Sequence, residues 1–147
     1  MNDFQQEWVA VDWGTTHFRV WRMSGDDVIE GRKASCGLLA LQQDEFESTL
    51  VKHLCEWPDN APVLMSGMVG SRQGWQEAPY LFLPVSLKEV AAGAVKVQTM
   101  ELNRKVHILP GLACQDQKRP DVMRGEETQL LGLGAGVEGW TGVICLP

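Results

Sequence analysis

The chain has 147 residues, of which 44% are hydrophobic and 22% are charged, the composition of an ordinary globular protein. A domain of this size buries roughly 68 to 70% of the surface that its unfolded chain exposes, which is enough for one core. The net charge of -6 and the lack of clustered Lys and Arg argue against a nucleic-acid partner. Residues 1–7 have no cationic signal-peptide start, and no apolar run approaches the roughly 18 residues of a membrane span. We therefore expect a cytoplasmic protein with no membrane partner.

Cysteine and histidine spacing predicts no zinc site. No Cys-x-x-Cys pair is present, and we expect reduced, structural thiols at Cys36, Cys55, Cys114 and Cys145. The histidines are too far apart in sequence for a zinc signature, so we expect ordinary solvated side chains at His17, His53 and His107.

Three apolar runs near the amino terminus predict strands. Residues 8–13 are apolar on both alternating faces, as in a central strand that is covered on both sides. Further runs occupy residues 18–23 and 28–34, with the hairpin signal Ser-Gly-Asp-Asp between them. The pattern predicts three antiparallel strands.

Residues 44–57 predict an amphipathic helix. Apolar side chains recur there at spacings of four, four and three, at Phe46, Leu50, Leu54 and Trp57. Asp44 is the predicted N-cap, and Glu47 stands where a capping box requires an acid. Pro58 is predicted to end the helix.

The remaining pattern completes an α/β domain. It predicts a buried strand at residues 62–66, a loop at 67–74, a helix at 87–95, strands at 97–102 and 105–109, a helix at 126–133 and a strand at 141–146. Three strands, a helix, a strand, and then helix and strand is the order of a ribonuclease H-like domain, with a mixed central sheet flanked by helices.

The end of the first strand is the first candidate site. Asp12 lies where an unpaired carboxylate is costly to desolvate, so we expect a cation partner. The following Gly14, Thr15 and Thr16 offer close approach, free N–H groups and two hydroxyls, which suits nucleotide phosphates with Mg²⁺ held by Asp12. The alternative is a plain turn whose amides donate to Asp12. Arg19 can bind an oxyanion or form a surface salt bridge.

The start of the last predicted helix is the second candidate site. Arg124, Glu126 and Glu127 lie between a polar loop and a helix rich in leucine. An acid over a cleft could deprotonate a hydroxyl that attacks phosphorus. The alternative is that both acids only complement the helix dipole.

The segment between residues 66 and 80 is the third candidate site. It combines hydroxyls, backbone amides, Arg72 and the aromatic side chains of Trp75 and Tyr80, a mixture suited to a polyhydroxylated acid. The alternative is a mobile surface loop.

Three stretches resemble one family. Residues 11–21, VDWGTTHFRVW, resemble the opening phosphate motif of the 2-dehydro-3-deoxygalactonokinases. Residues 65–71, MSGMVGS, with 74–75 and 78–80, resemble the middle signature of that family. Residues 122–130, VMRGEETQL, are similar to its most distinctive stretch. The resemblance covers the whole chain in order.

The resemblance implies an ATP-dependent and Mg²⁺-dependent kinase of the superfamily that unites sugar kinases, actin and the Hsp70 ATPase domain. Such an enzyme transfers the γ-phosphoryl group of ATP to the terminal hydroxyl of 2-dehydro-3-deoxy-D-galactonate, a step in galactonate breakdown. By resemblance, Asp12 organises Mg²⁺, and the nucleotide phosphates contact Gly14, Thr15, Thr16 and Arg19.

The resemblance also implies roles at the other two candidate sites. Arg124 with Glu126 or Glu127 would stand near the transferred group, and which glutamate is the base stays open. The sugar acid would be held by the 66–80 segment, at Ser66, Gly67, Met68, Gly70, Ser71, Trp75 and Tyr80.

One departure from the family pattern concerns the end of the sequence. In the family the strand at residues 143–147 leads into a second phosphate motif and an adenosine-binding domain, neither of which is present here. We therefore expect residues 1–147 to form the amino-terminal domain of a kinase, inactive alone and able to self-associate through the exposed edge at residues 143–146. A non-catalytic binding domain and a related phosphoanhydride hydrolase remain the alternatives.

Overall fold

The computed structural model of this chain describes residues 6–116, 118–134 and 139. These residues form an α/β fold with two sheets. The larger sheet contains β1 (Glu7–Trp13), β2 (Phe18–Ser24), β3 (Asp27–Ala34), β4 (Val63–Ser66), β6 (Val95–Val97) and β7 (Val106–Ile108). The smaller sheet contains β5 (Leu81–Phe82), β8 (Leu112–Cys114) and β9 (Asp121–Met123). The helices are α1 (Phe46–Leu54), α2 (Leu87–Ala92) and α3 (Glu126–Gly134).

The larger sheet has the order β3-β2-β1-β4-β7-β6 and is mixed. The three amino-terminal strands pair antiparallel, as predicted. β4 then adds parallel to β1, and β7 adds parallel to β4. β6 returns antiparallel to β7 at the edge. The mixed sheet confirms the coarse α/β prediction.

β1 lies between β2 and β4, as the apolar pattern predicts for a central strand. Its odd-numbered residues Val9, Val11 and Trp13 are at most 3% exposed and pack in the core with α1. Its even-numbered residues, including Trp8 and Ala10, are only half-buried and line a groove on the opposite face. The prediction that both faces of β1 are covered is therefore confirmed for one face, while the other face is only half-buried.

α1 buries Phe46, Leu50 and Leu54, which confirms the predicted apolar stripe. The predicted capping box is wrong, because the helix begins after Glu45 and has no side-chain cap bond. The carboxylate of Glu47 is used elsewhere. Its Oε1 accepts backbone N–H groups from residues 100, 101 and 102 at 2.8, 2.7 and 3.1 Å. This contact ties the loop after β6 to the helix.

Two boundaries in the middle of the chain differ from the prediction. α2 ends at Ala92, before the predicted end at residue 95. β6 spans Val95–Val97, so the strand predicted at residues 97–102 lies further toward the amino terminus. The short antiparallel strands β8 and β9 have no counterpart in the prediction. The predicted strand at residues 105–109 is confirmed by β7.

The histidine and cysteine predictions are confirmed in part. Cys36, Cys55 and Cys114 are free thiols. His53 is not a solvated side chain, because its ring lies 4.8 Å from that of Phe18 and burial lowers the pKa of its imidazole. Cys145 lies outside the described residues.

The last helix is confirmed at Glu126–Gly134. The predicted strand at residues 141–146, and the self-association edge expected there, lie outside the described residues. Within the described ranges, none of the helices has both the length and the apolar character needed to cross a bilayer.

Replacing Glu47 by Ala should lower the free energy of unfolding by about 1 to 3 kcal/mol, because three backbone N–H groups lose a charged acceptor. The matched control is Asp44→Ala, which should change it by less than about 0.5 kcal/mol, since α1 has no side-chain cap bond. Urea denaturation measures both. If Asp44→Ala lowered the free energy of unfolding more than Glu47→Ala does, the interpretation of Asp44 as the N-cap would be restored.

Candidate functional site

A cavity of about 360 Å³ lies where β1 and β4 end. The two strands are parallel, with Asp12 paired in register with Ser66, so their carboxyl ends meet at one edge of the sheet. The turn after β1 and the loop after β4 both open into this space. All five residues predicted to bind the nucleotide line it, namely Asp12, Gly14, Thr15, Thr16 and Arg19.

The opposite wall of the cavity comes from the start of α3 and from the loop after β4. Arg124, Gly125, Glu126, Gln129, Gly67 and Met68 contribute to it. The fold therefore brings the first and second candidate sites together, although more than 100 positions separate them in the sequence.

Asp12 has a cation partner, as the sequence predicts, and it is Arg19. The two residues face each other across β1 and β2, and Arg19 Nη1 donates to Asp12 Oδ2 at 2.9 Å. The side chains are 38% and 20% exposed, so both remain accessible from the cavity. The plain-turn alternative is not supported at Gly14, whose N–H donates to the carbonyl of His17 at 2.9 Å and not to Asp12.

The donor set in the cavity fits Mg²⁺ bound together with phosphates. Mg²⁺ in nucleotide sites takes one or two protein carboxylates and completes its shell with phosphate oxygens and water. Asp12 and Glu126 are the carboxylates on the cavity wall. Among residues 6–116 and 118–134, no group of three or more His, Cys, Asp and Glu side chains could form a metal cage. The cavity therefore suits a cation that arrives with its phosphate ligands.

The two glutamates at the start of α3 occupy different environments. Glu126 is exposed and lines the cavity, and its carboxylate accepts the N–H of Arg124 at 2.8 Å. Glu127 is 5% exposed and accepts the N–H of Gly125 at 2.7 Å. It lines a different, apolar groove beside Leu83 and Leu130. Burial raises the pKa of the Glu127 carboxyl, against the smaller lowering effect of its hydrogen bonds.

Arg124 is buried, with 7% of its surface exposed, and its guanidinium lies against the 70–80 segment. Nη2 donates to the carbonyl of Ala78 at 2.8 Å, and the guanidinium carbon lies 4.2 Å from the ring centroid of Tyr80. Nε and Nη1 have no hydrogen-bond partner within the described part of the chain. A buried cation with two unpaired donors is costly unless an anion or water satisfies them.

The predicted sugar-acid residues separate into three groups. Gly67 and Met68 line the cavity. Gly67 has a φ of 95°, and a side chain there would press against the carbonyl of Trp13, so only glycine suits this close approach. Ser66 is buried and faces the groove of about 440 Å³ on the open face of the sheet.

The rest of that set supports the cavity from behind. Trp75 stacks on Phe46 with ring centroids 6.2 Å apart, and Tyr80 lies under Arg124. Gly70 packs against Ile108 and Arg124. The hydroxyl of Ser71 is buried and has no partner among the described residues. These contacts are those of a packed segment and do not favour the alternative of a loose surface loop.

Sequence reasoning overlooked three residues on the cavity wall: His17, Gly125 and Gln129. His17 directly follows the candidate phosphate turn, so its position in sequence was a usable signal. Gln129 lies three positions after Glu126, and helical spacing places both on one face.

Comparison with known proteins gives a consistent result. A family model described as 2-keto-3-deoxy-galactonokinase matches residues 12–147. The chain is 41% identical over 143 residues to the Rhizobium meliloti (strain 1021) protein named "Probable 2-dehydro-3-deoxygalactonokinase DgoK1", covering 95% of this chain and 46% of that protein. It is 36% identical over 129 residues to the 2-dehydro-3-deoxygalactonokinase of Escherichia coli (strain K12), covering 87% of this chain and 42% of that protein.

A solved structure shows the same similarity. It is the crystal structure of a Sinorhizobium meliloti protein described as a candidate 2-dehydro-3-deoxygalactonokinase, with a TM-score of 0.82 and 40% identity. The match covers 95% of this chain and 47% of that one. The chain thus spans less than half the length of the relatives it matches.

Stability should depend on pH through Glu127. Burial raises its pKa above the ordinary 4.5, so the folded protein binds this proton more tightly than the unfolded chain does. The stabilisation is complete below the unfolded pKa and is lost as pH rises through the folded pKa. The unsubstituted protein should therefore lose stability as pH rises, whereas Glu127→Gln has no such carboxyl group to ionise. The free energy of unfolding of Glu127→Gln minus that of the unsubstituted protein should increase from pH 4 to pH 7.

The matched control for this measurement is Glu126→Gln, which removes one charge from the same helix start but at an exposed position. Urea denaturation across the pH range compares the two variants. Equal pH dependence in both would contradict the assignment to buried Glu127.

Proposed function

Because this chain belongs to the 2-keto-3-deoxy-galactonokinase family, we propose that its protein transfers the γ-phosphoryl group of ATP to the terminal hydroxyl of 2-dehydro-3-deoxy-D-galactonate. One observation carries the proposal at the level of the site. Asp12, the turn at residues 14–16 and Glu126 come from distant parts of the sequence and line a single cavity. That combination provides a metal ligand, phosphate donors and a base.

We further propose that the chain is the amino-terminal, ribonuclease H-like domain of a two-domain kinase of the actin-like superfamily. The strand order supports this, with three antiparallel strands followed by parallel β4 and β7. Each relative is more than twice as long as the part that this chain matches, which leaves room for the adenosine-binding domain that the family resemblance implies. Closure of two domains over ATP would exclude water and complete the set of donors.

The turn after β1 is assigned to the nucleotide phosphates. Thr15 and Thr16 are exposed and supply hydroxyl donors, and Gly14 has no side chain to block close approach. Asp12 would hold Mg²⁺, which when bound neutralises charge on the β- and γ-phosphates. Arg19 holds Asp12 in place at 2.9 Å, and its remaining donors can face a phosphate oxygen.

Glu126 is assigned as the general base. It lies on the cavity wall, whereas Glu127 turns into an apolar groove and accepts a hydrogen bond from Gly125. A carboxylate within reach of the sugar hydroxyl can accept its proton as the oxygen attacks phosphorus.

The sugar acid is assigned to the side of the cavity formed by Gly67 and Met68, which the segment at residues 70–80 supports from behind. The chain carries a net charge of -6, so an anionic substrate needs a local cation. Arg124 is that cation in this proposal, since two of its guanidinium nitrogens lack partners in the described part of the chain.

The full-length kinase should consume ATP only when 2-dehydro-3-deoxygalactonate and Mg²⁺ are both present, while the 147-residue chain alone should stay near background. A coupled ADP assay with each component omitted measures this. ATP consumption that does not need the sugar acid would favour a phosphoanhydride hydrolase. Robust turnover by the short chain would contradict the need for a second domain.

Asp12→Asn in the full-length kinase should lower kcat by at least about 100-fold, because an amide is a poor ligand for Mg²⁺. The free energy of unfolding should fall by less than about 1 kcal/mol, since the pair with Arg19 is partly exposed. Thermal melts beside Mg²⁺-dependent rates separate the two effects. A variant that melts several degrees lower and keeps its rate per folded molecule would refute the metal role.

The two glutamates provide an internal comparison. Glu126→Gln should lower kcat at least about 100-fold with little change in KM, as expected for a lost general base. Glu127→Gln should keep most of the rate. The reverse order of activities would assign the base to Glu127.

A further inference from the structure

The segment at residues 37–39 binds the carbonyl groups of the phosphate turn. Gly37 N–H donates to the carbonyl of Thr16 at 3.1 Å. Leu38 and Leu39 donate to the carbonyls of Gly14 and Thr15, each at 3.0 Å. Three consecutive amides therefore pair with the three carbonyls of the turn.

This pairing fixes the direction of the amides of the turn. In a planar trans peptide, the carbonyl of one residue and the N–H of the next point in opposite directions. Since the carbonyls of residues 14–16 point at residues 37–39, the N–H groups of Thr15, Thr16 and His17 point away from that segment. Within the described residues these three N–H groups have no protein acceptor. Successive free N–H groups of this kind form an anion-binding concavity.

The segment itself is anchored to the core. The indole Nε1 of Trp13 donates to the carbonyl of Cys36 at 2.9 Å, and Leu38 is 8% exposed. The pairing is therefore attached to the buried end of β1.

Gly37 is the point of closest approach. A Cβ there would overlap the backbone nitrogen and carbonyl carbon of Thr16 and the carbonyl carbon of Thr15. Its φ of -69° and ψ of 179° are ordinary extended values that any residue adopts. Glycine is thus required here for space and not for conformation, so a methyl group would act by displacing the turn.

We propose that Gly37 is a positioning residue for the phosphate site: its missing side chain lets residues 37–39 bind the turn and aim the amides of Thr15, Thr16 and His17 at the nucleotide phosphates. The inference rests on the proposed function, because it assumes that the anion in this cavity is a phosphate. It adds Gly37, which lies 21 positions beyond the end of the turn and does not line the cavity.

Amide hydrogen exchange of the ligand-free chain tests the pairing itself. The amides of Gly37, Leu38 and Leu39 should exchange slowly, while those of Thr15, Thr16 and His17 should exchange fast. In Gly37→Ala the amides of Leu38 and Leu39 should exchange at least about tenfold faster, with those of β4 unchanged. Equal protection of both sets in the unsubstituted chain would overturn the inference without any need for a folded variant.

Titration with magnesium tripolyphosphate, followed by NMR, tests the consequence. In the unsubstituted chain the amide signals of Thr15, Thr16 and His17 should shift. Gly37→Ala should weaken this binding at least about tenfold per folded molecule, since small misplacements of positioned groups cost that much. The control is Gly132→Ala, where a Cβ has open space and the affinity should stay within about twofold.

The two variants and the unsubstituted chain test the positioning role of Gly37 separately from the phosphate site itself. Unchanged affinity in Gly37→Ala, with a lower melting temperature, would show a merely structural role and overturn the inference. No binding by the unsubstituted chain would count against the proposed phosphate site, and the exchange pattern would then decide the positioning claim alone.

Discussion

The pairing of β1 with β2 on one side and β4 on the other is the constraint on which the rest of the structure depends. The antiparallel register places Asp12 opposite Arg19, and the parallel register places Asp12 beside Ser66. A slip of one residue would move every β1 side chain to the other face, so Trp13 would leave the core and Asp12 would enter it. The burial of Val9, Val11 and Trp13 excludes that slip. Core packing therefore fixes the position of the carboxylate at the cavity.

The chain is acidic, with a net charge of -6, but two arginines lie at its cavity. The cavity wall carries Asp12 and Glu126 together with Arg19 and Arg124. Arg19 already balances Asp12, whereas Arg124 makes no ion pair among the described residues and is held by a carbonyl and an aromatic ring. Buried unpaired charge of this kind is expensive, and it is more often found where a ligand supplies the partner. Under the proposed function, Arg19 would face a phosphate and Arg124 the organic acid.

The sequence predicts the parts of this molecule that depend on local pattern. Alternating apolar residues identify the first three strands, and the stripe at Phe46, Leu50 and Leu54 identifies α1. The DWGTT run identifies the turn that lines the cavity. The prediction fails where a distant segment changes the outcome. The capping prediction for Glu47 fails because its partners, residues 100–102, lie more than 50 positions away.

The sequence does not distinguish Glu126 from Glu127, because the burial of Glu127 depends on the packing around Leu83 and Leu130. Gly37 gives no local signal, because the residue it packs against is Thr16.

The most direct test of the account is to locate the nucleotide-bound metal. Mn²⁺ can replace Mg²⁺ beside ATP, and it broadens NMR signals of nearby nuclei in a distance-dependent way. If Asp12 holds the metal, Mn²⁺ with ATP will broaden the amide signals of Asp12, residues 14–16 and Gly67 most strongly, and Asp12→Asn will remove this pattern. Strongest broadening around the apolar groove at Leu83 and Leu130, or the same pattern in Asp12→Asn, would contradict it.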